Sequence, residues 1–225
     1  EKSSGTPLSG GIYILLNLIS IWFLYDENLS NYSTIFLCLV LIFILGFFSD
    51  IRQNFSPKLR IIFQLLIIFL FIFTNNDALV VRTNINILDA LLENESFKYF
   101  FTLFCIITLL NGFNFIDGIN GLSCGYILSI IVVLYMILIN DNLHDHKEII
   151  YLLKNLAVIY FVFLIFNFFG LSFFGDNGIY ISSLIISYLV IKTTNVTNNI
   201  SPIVAVALLW YPAFENLFSI IRRLL

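Results

Sequence analysis

The 225 residues are 60% hydrophobic and 11% charged, with a mean hydropathy of +0.97. Ordinary soluble domains carry roughly 25% charged residues, so these values exclude a soluble globular protein and point to an integral membrane protein. The net charge of −3, without a dense basic run, leaves no basis for a nucleic-acid partner.

Taken in chain order, apolar runs at about 10–25, 34–48, 59–74, 97–110, 122–139, 149–169, 178–191 and 201–218 predict about eight membrane spans. Barrel strands would alternate apolar and polar residues over about ten positions, and the run from Ile61 to Phe71 does not. The fold class is therefore all-α, a polytopic transmembrane helical bundle. Several runs are shorter than the ~20 residues of an upright span, which predicts tilted or broken helices around a cavity. Between the third and fourth runs, Leu79–Leu88 partly alternates, the period of a half-buried strand, and predicts a short hairpin on the outer face. The loop 140–148 holds His144 and His146, read as solvated loop residues because a metal site needs three or four ligands in fixed geometry. Cys38, Cys105 and Cys124 lie in or beside apolar runs and read as small buried residues, with neither disulfide nor zinc spacing.

If each run crosses once, the segments 49–58, 111–121, 170–177 and 219–225 share one face. That face collects Asp50, Asp117, Asp176 and the Arg222–Arg223 pair, as a shared polar site would require. Of the 11 basic residues, Lys2, Arg52, Lys58, Arg60, Arg222 and Arg223 fall on it, a small excess that favours a cytoplasmic orientation. Glu1 is not a start methionine, and Ile221–Leu225 stops mid-pattern. The expectation is a single integral membrane domain over 1–225, cut at both ends.

The segment Asn111–Leu122 sets three amides, a carboxylate and three glycines between two long apolar runs. An ionisable group there marks a functional site by default, because charge in a membrane segment is costly. Asn111, Asn114, Asp117 and Asn120 recur every three residues and drift slowly around a helix face, while Gly112, Gly118 and Gly121 predict a break or tight turn.

Four segments, in order, carry a resemblance. They are Gly5–Gly11, Gly46–Asp50 with Ser56–Gln64, Asn111–Leu122, and Phe174–Tyr180. They resemble the signatures of the polyprenyl-phosphate N-acetylhexosamine-1-phosphate transferases, the membrane glycosyltransferase family 4 enzymes related to phospho-N-acetylmuramoyl-pentapeptide transferase. The segment Trp210–Arg223 is similar to the one leading into the family's histidine-bearing cytoplasmic loop, which would follow Leu225. Three departures point to a divergent subgroup. Ser49 stands where the first acid of an Asp-Asp pair is usual, Asn120 replaces a frequent aspartate, and the stretch from Asn167 to Asp176 is one residue shorter, with Ser172 at a commonly basic or polar position.

The resemblance implies transfer of HexNAc-1-phosphate from a UDP-N-acetylhexosamine to polyprenyl (undecaprenyl) phosphate, releasing UMP and starting a cell-envelope polysaccharide. It implies magnesium, with manganese as the alternative, a plasma-membrane location, an active site on the cytoplasmic face, contact with membrane lipid and a homodimer as the candidate assembly. Its carry-over makes Asp50, Asp117 and Asp176 catalytic, with Asp176 the metal ligand. Lys58, Asn111, Asn114, Gly118, Asn120, Asn167 and Phe173 become substrate-binding. Asp50 would position the lipid phosphate or complete the metal shell, and positioning is preferred because a phosphate monoester, with a second pKa near 6, hardly needs a base. Asn114 and Asp117 would face the ribose and phosphates, Gly118–Asn120 the uracil, and Phe173 would stack on it.

Each residue also has a plainer reading. Asp176 could cap the span 178–191, Lys58 and Arg60 could anchor a helix at the interface, and Asn167 could bridge helices for about 0.6 kcal/mol. A secondary transporter built from broken helices is the alternative in another class, disfavoured because the acids lie at one face and no matching halves are visible. A CDP-alcohol phosphatidyltransferase is excluded because Asp117-Gly118 continues Ile-Asn-Gly-Leu rather than toward further aspartates.

Overall fold

A computed structural model describes residues 7–24, 33–52, 55–140, 147–197 and 201–224. Lys2, Gly5, Thr6, His144 and His146 lie outside the described residues. The helices are α1 (Gly10–Leu24), α2 (Ser33–Ile51), α3 (Pro57–Thr74), α4 (Asn86–Leu92), α5 (Glu95–Ile116), α6 (Leu122–Asn140), α7 (Lys147–Phe168), α8 (Gly175–Val196) and α9 (Ile203–Leu224). The fold is all-helical, and every apolar run coincides with one long helix. Seven of these helices are long and apolar enough to cross a membrane. The exception is α1, whose 15 residues span about 22 Å at 1.5 Å per residue, short of a ~30 Å hydrocarbon core.

Helix α8 is the axis of the bundle, buried from Asn177 to Ile191 and packed against α1, α2, α5, α6 and α9. Because protein rather than lipid surrounds it, it can carry Ser182, Ser183, Ser187 and Thr193 buried inside a span. Ser182 Oγ donates to the Gly178 carbonyl at 2.6 Å and Ser183 Oγ to that of Ile179, so these two hydroxyls are satisfied within the helix. Helix α2 approaches α8 closely at Gly46. A Cβ there would lie 2.4 Å from Asn177 Cα, so only glycine lets the two backbones touch. On the far side, α9 is held to the bundle by Tyr126 Oη donating to the Leu208 carbonyl at 2.8 Å and Asn216 Nδ2 to that of Thr108 at 3.2 Å.

The hairpin expected at Leu79–Leu88 is absent, and the described residues contain no strand. The segment runs extended and then turns into α4, because side chains take the backbone groups a partner strand would use. Val80 N–H donates to Thr102 Oγ1 at 3.0 Å, Asn195 Nδ2 to the Leu79 carbonyl at 2.8 Å, and Arg82 to the carbonyls of Thr194 and Thr197 at the end of α8. Asp89 then accepts the Thr83 N–H at 2.6 Å and Thr83 Oγ1 at 2.7 Å, which folds the chain into the short helix.

Candidate active site

The end of α2 meets the beginning of α8, and Asp50 makes the junction. Its carboxylate accepts the backbone N–H of Asp176 at 2.8 Å, that of Asn177 at 3.1 Å and Asn177 Nδ2 at 2.6 Å. The first amides of a helix have no partner inside it, so Asp50 caps α8 from a neighbouring helix. Gly175 fits this contact with a φ of +69°, and a Cβ there would fall 2.8 Å from Asp50 Oδ2. Two expectations are thereby corrected. Asp176 is not the cap of its own helix, and α8 starts at Gly175 rather than 178, because the acid that satisfies its amides comes from α2.

Capped in this way, α8 presents Asp176 in its first turn, where the helix dipole favours a carboxylate. Oδ2 accepts Ser49 Oγ at 2.6 Å, Arg60 Nη1 at 3.2 Å and Tyr180 Oη at 3.5 Å, while Oδ1 accepts Asn114 Nδ2 at 3.0 Å. Asn114 Nδ2 also reaches Tyr180 Oη at 3.3 Å. The Asp176 side chain keeps 24% of its surface and Arg60 30%, so the ion pair is partly open to the face it occupies. Asn111, one turn deeper on α5, donates to the Ile107 carbonyl at 2.9 Å and contacts Gln64 Oε1 at 3.5 Å.

A second polar group joins two turns. Asn167 is buried, and its Oδ1 accepts the Gly121 N–H at 2.8 Å while its Nδ2 donates to the Ser172 carbonyl at 2.9 Å. It ties the turn after α5 to the turn before α8 through backbone groups alone. Asp117 ends α5 and accepts Ser123 Oγ at 2.6 Å. Gly118 and Asn120 are exposed in the turn, with open space beside Gly118. Phe173 is strapped to the start of the chain, donating its N–H to Pro7 at 3.1 Å and accepting the Gly10 N–H at 3.0 Å.

Of the residues expected from sequence, Asp50, Asn114 and Asp176 come together. Asn111 lies a turn below them, while Asp117, Gly118, Asn120 and Asn167 form the adjoining turn. Lys58 is exposed in the first turn of α3, and Arg60 is the basic residue that reaches the acid. From the sequence alone Arg60 is an interfacial anchor and Ser49 a lost acid, and neither Asn177 nor Tyr180 stands out as a site residue. The four-residue step from Asp176 to Tyr180 was the one local signal available, since such pairs share a helix face.

The cluster can hold and orient anions. Arg60 offers a planar guanidinium that matches phosphate, and Nε is buried without a hydrogen-bond partner among the described residues. The donor chemistry also fits magnesium, because a partly open carboxylate stands beside a hydroxyl and an amide. Magnesium takes one or two carboxylates and leaves its other positions to water and substrate phosphates. No group of three His, Cys, Asp or Glu residues able to hold an ion occurs among the described residues. Substrate oxygens would therefore have to complete the shell.

Comparison with known proteins places the chain in a family. The chain is 31% identical over 176 residues to the phospho-N-acetylmuramoyl-pentapeptide-transferase of Streptococcus agalactiae serotype Ia, covering 71% of the chain and 52% of that enzyme. It is 26% identical over 223 residues to the undecaprenyl-phosphate alpha-N-acetylglucosaminyl 1-phosphate transferase of Escherichia coli O157:H7, covering 97% of the chain and 60% of that enzyme. The chain thus spans between half and three-fifths of the length of these relatives. The model of glycosyl transferase family 4 matches residues 32–194, well over half of the chain and all of the Asp50–Asn114–Asp176 cluster. This multi-pass membrane protein belongs to glycosyl transferase family 4.

Proposed function

We propose that the protein transfers a HexNAc-1-phosphate from a UDP-sugar to polyprenyl phosphate, with UMP as the other product, as the first lipid-linked step of a cell-envelope polysaccharide. A lipid phosphate oxygen attacks the β-phosphorus of the UDP-sugar, and the bond from that phosphorus to the bridging oxygen breaks, so the electron pair leaves on UMP. The observation that carries this reading is the convergence of Asp50, Ser49, Arg60, Asn114 and Asp176 at one end of the bundle, in a chain of this family.

Asp176 would hold magnesium, with manganese as a substitute, and the neighbouring Ser49 and Asn114 would orient that carboxylate. When bound, the ion neutralises diphosphate oxygens and stabilises the leaving UMP. Arg60 draws the anionic phosphates toward the face, and Lys58 in the adjoining turn adds positive charge at the lipid boundary. Asp50 positions the start of α8. Asn111 supports Asn114, Asp117 and the Gly118–Asn120 turn take the nucleoside, Asn167 fixes that turn, and Phe173 offers its ring to the base. The working face is cytoplasmic and the membrane the plasma membrane, in keeping with the slight basic excess on that face. The 1–225 region acts as one transferase domain, with a homodimer as the assembly.

The test is UMP release by the full-length protein with a panel of UDP-sugars. Release is expected from a UDP-N-acetylhexosamine only when both a divalent cation and polyprenyl phosphate are present. Equal release without the lipid would identify a hydrolase and end this reading.

A further inference from the structure

We propose that Ser49 and Arg60 hold Asp176 engaged until a nucleoside diphosphate arrives, so that the divalent cation enters the site with the substrate's phosphates rather than before them. This rests on the transferase reading of the site. Both carboxylate oxygens of Asp176 are already engaged: Oδ2 accepts a hydroxyl at 2.6 Å and a guanidinium at 3.2 Å, and Oδ1 accepts the Asn114 amide at 3.0 Å, so a cation would have to displace a donor from either. The neighbouring acid offers little help, because Asp50 faces the amides of Asp176 and Asn177 and the Asn177 side chain.

Charge points the same way. Asp176 and Arg60 together are neutral, so the pair does not draw in a doubly charged cation, which would also have to shed strongly held water. A diphosphate changes the balance. It brings negative charge and several oxygens, and its geometry suits the Arg60 fork better than a single carboxylate oxygen does. Arg60 can then pass from Asp176 to phosphate, releasing Oδ2 at the moment the remaining ligands appear.

Ser49 suits both states because a hydroxyl donates or accepts by rotating its proton. It donates to the bare carboxylate and presents a neutral oxygen once a cation is there. A carboxylate at this position would instead face Asp176 Oδ2 across a hydrogen-bond distance, and two such acids stay ionised together only with a cation between them. Ser49 and Asp50, adjacent at the end of α2, thus grip Asp176 by its side chain and its backbone respectively.

Equilibrium dialysis of the purified full-length protein against Mn2+, with and without UDP on both sides, tests the order of entry. The wild type should retain Mn2+ at least tenfold more tightly when UDP is present. Ser49→Asp should bind Mn2+ without UDP at least tenfold more tightly than the wild type, and Arg60→Gln, which removes the competing cation without adding an acid, should shift in the same direction. Equal wild-type affinity with and without UDP overturns the inference while leaving the transferase reading intact, as does a failure of both variants to gain nucleotide-free binding. A wild type that retains neither UDP nor Mn2+ removes the transferase reading, and this inference with it.

Discussion

Asp176 and Asp50 differ in what they face, and this sets the consequence of losing each charge. Asp176 presents a partly open carboxylate, whereas Asp50 accepts the first amides of α8. Asp176→Asn is expected to abolish turnover in a folded protein, because the proposed ligand for the divalent cation is gone. Asp50→Asn keeps a carbonyl acceptor, so it should lose about 10- to 100-fold in kcat, with thermal stability reduced by less than the ~1 kcal/mol that removing a helix cap costs. Steady-state kinetics with a melting curve on both variants checks this, and a larger loss in Asp50→Asn than in Asp176→Asn would contradict it. At this scale the sequence made Asp176 legible through its Gly-Asp-Asn-Gly setting. It did not reveal that Arg60 and Ser49 meet the same oxygen, since those contacts bridge more than a hundred positions. The resemblance favours Lys58 as the phosphate contact, whereas the ion pair to Asp176 is made by Arg60 and Lys58 is exposed.

Long apolar patterns mark their helices in the sequence, whereas a boundary set by a partner elsewhere in the chain leaves no local trace. The start of α8 moved back to Gly175 because its cap comes from α2, and α5 runs through Ile116, carrying Asn111 and Asn114 as helical residues. The segment Leu79–Leu88 alternated like a strand, yet its backbone is satisfied by Thr102, Asn195 and Asp89. That local fold depends on a charge. The Thr83 hydroxyl and N–H hold the Asp89 carboxyl below the usual aspartate range. A carboxyl depressed in the folded state contributes stability above its unfolded pKa of about 3.9, and loses it as pH falls through the lower folded value. Amide exchange at Thr83 and through α4, corrected for intrinsic rates, should therefore stay protected at neutral pH and lose protection below about pH 4. Asp89→Ala should lose it at every pH. Protection unchanged between neutral pH and pH 3 in the wild type would contradict the contact.

For the molecule as a whole, counting spans predicted that the connections after α2, α5 and α7 share one face, and the cluster around Asp176 unites those helix ends. Composition alone could not reveal that α8 is the buried axis, because its serines and threonines make it resemble a poorer span until the surrounding helices are in place. Single cysteines at Ile119, in the turn beside the site, and at Ile87 in α4, both well exposed at 66% and 76%, should be labelled from opposite sides of the membrane. Labelling of both from one side would break the topology. The central claim concerns which bond breaks, and it is tested most directly with a UDP-N-acetylhexosamine carrying radioactive phosphorus at the β position, incubated with the full-length protein, magnesium and polyprenyl phosphate. Phosphosugar transfer predicts that the label moves into the lipid extract in step with UMP formation. Label remaining in water-soluble UDP, with an unlabelled sugar on the lipid, would contradict the account.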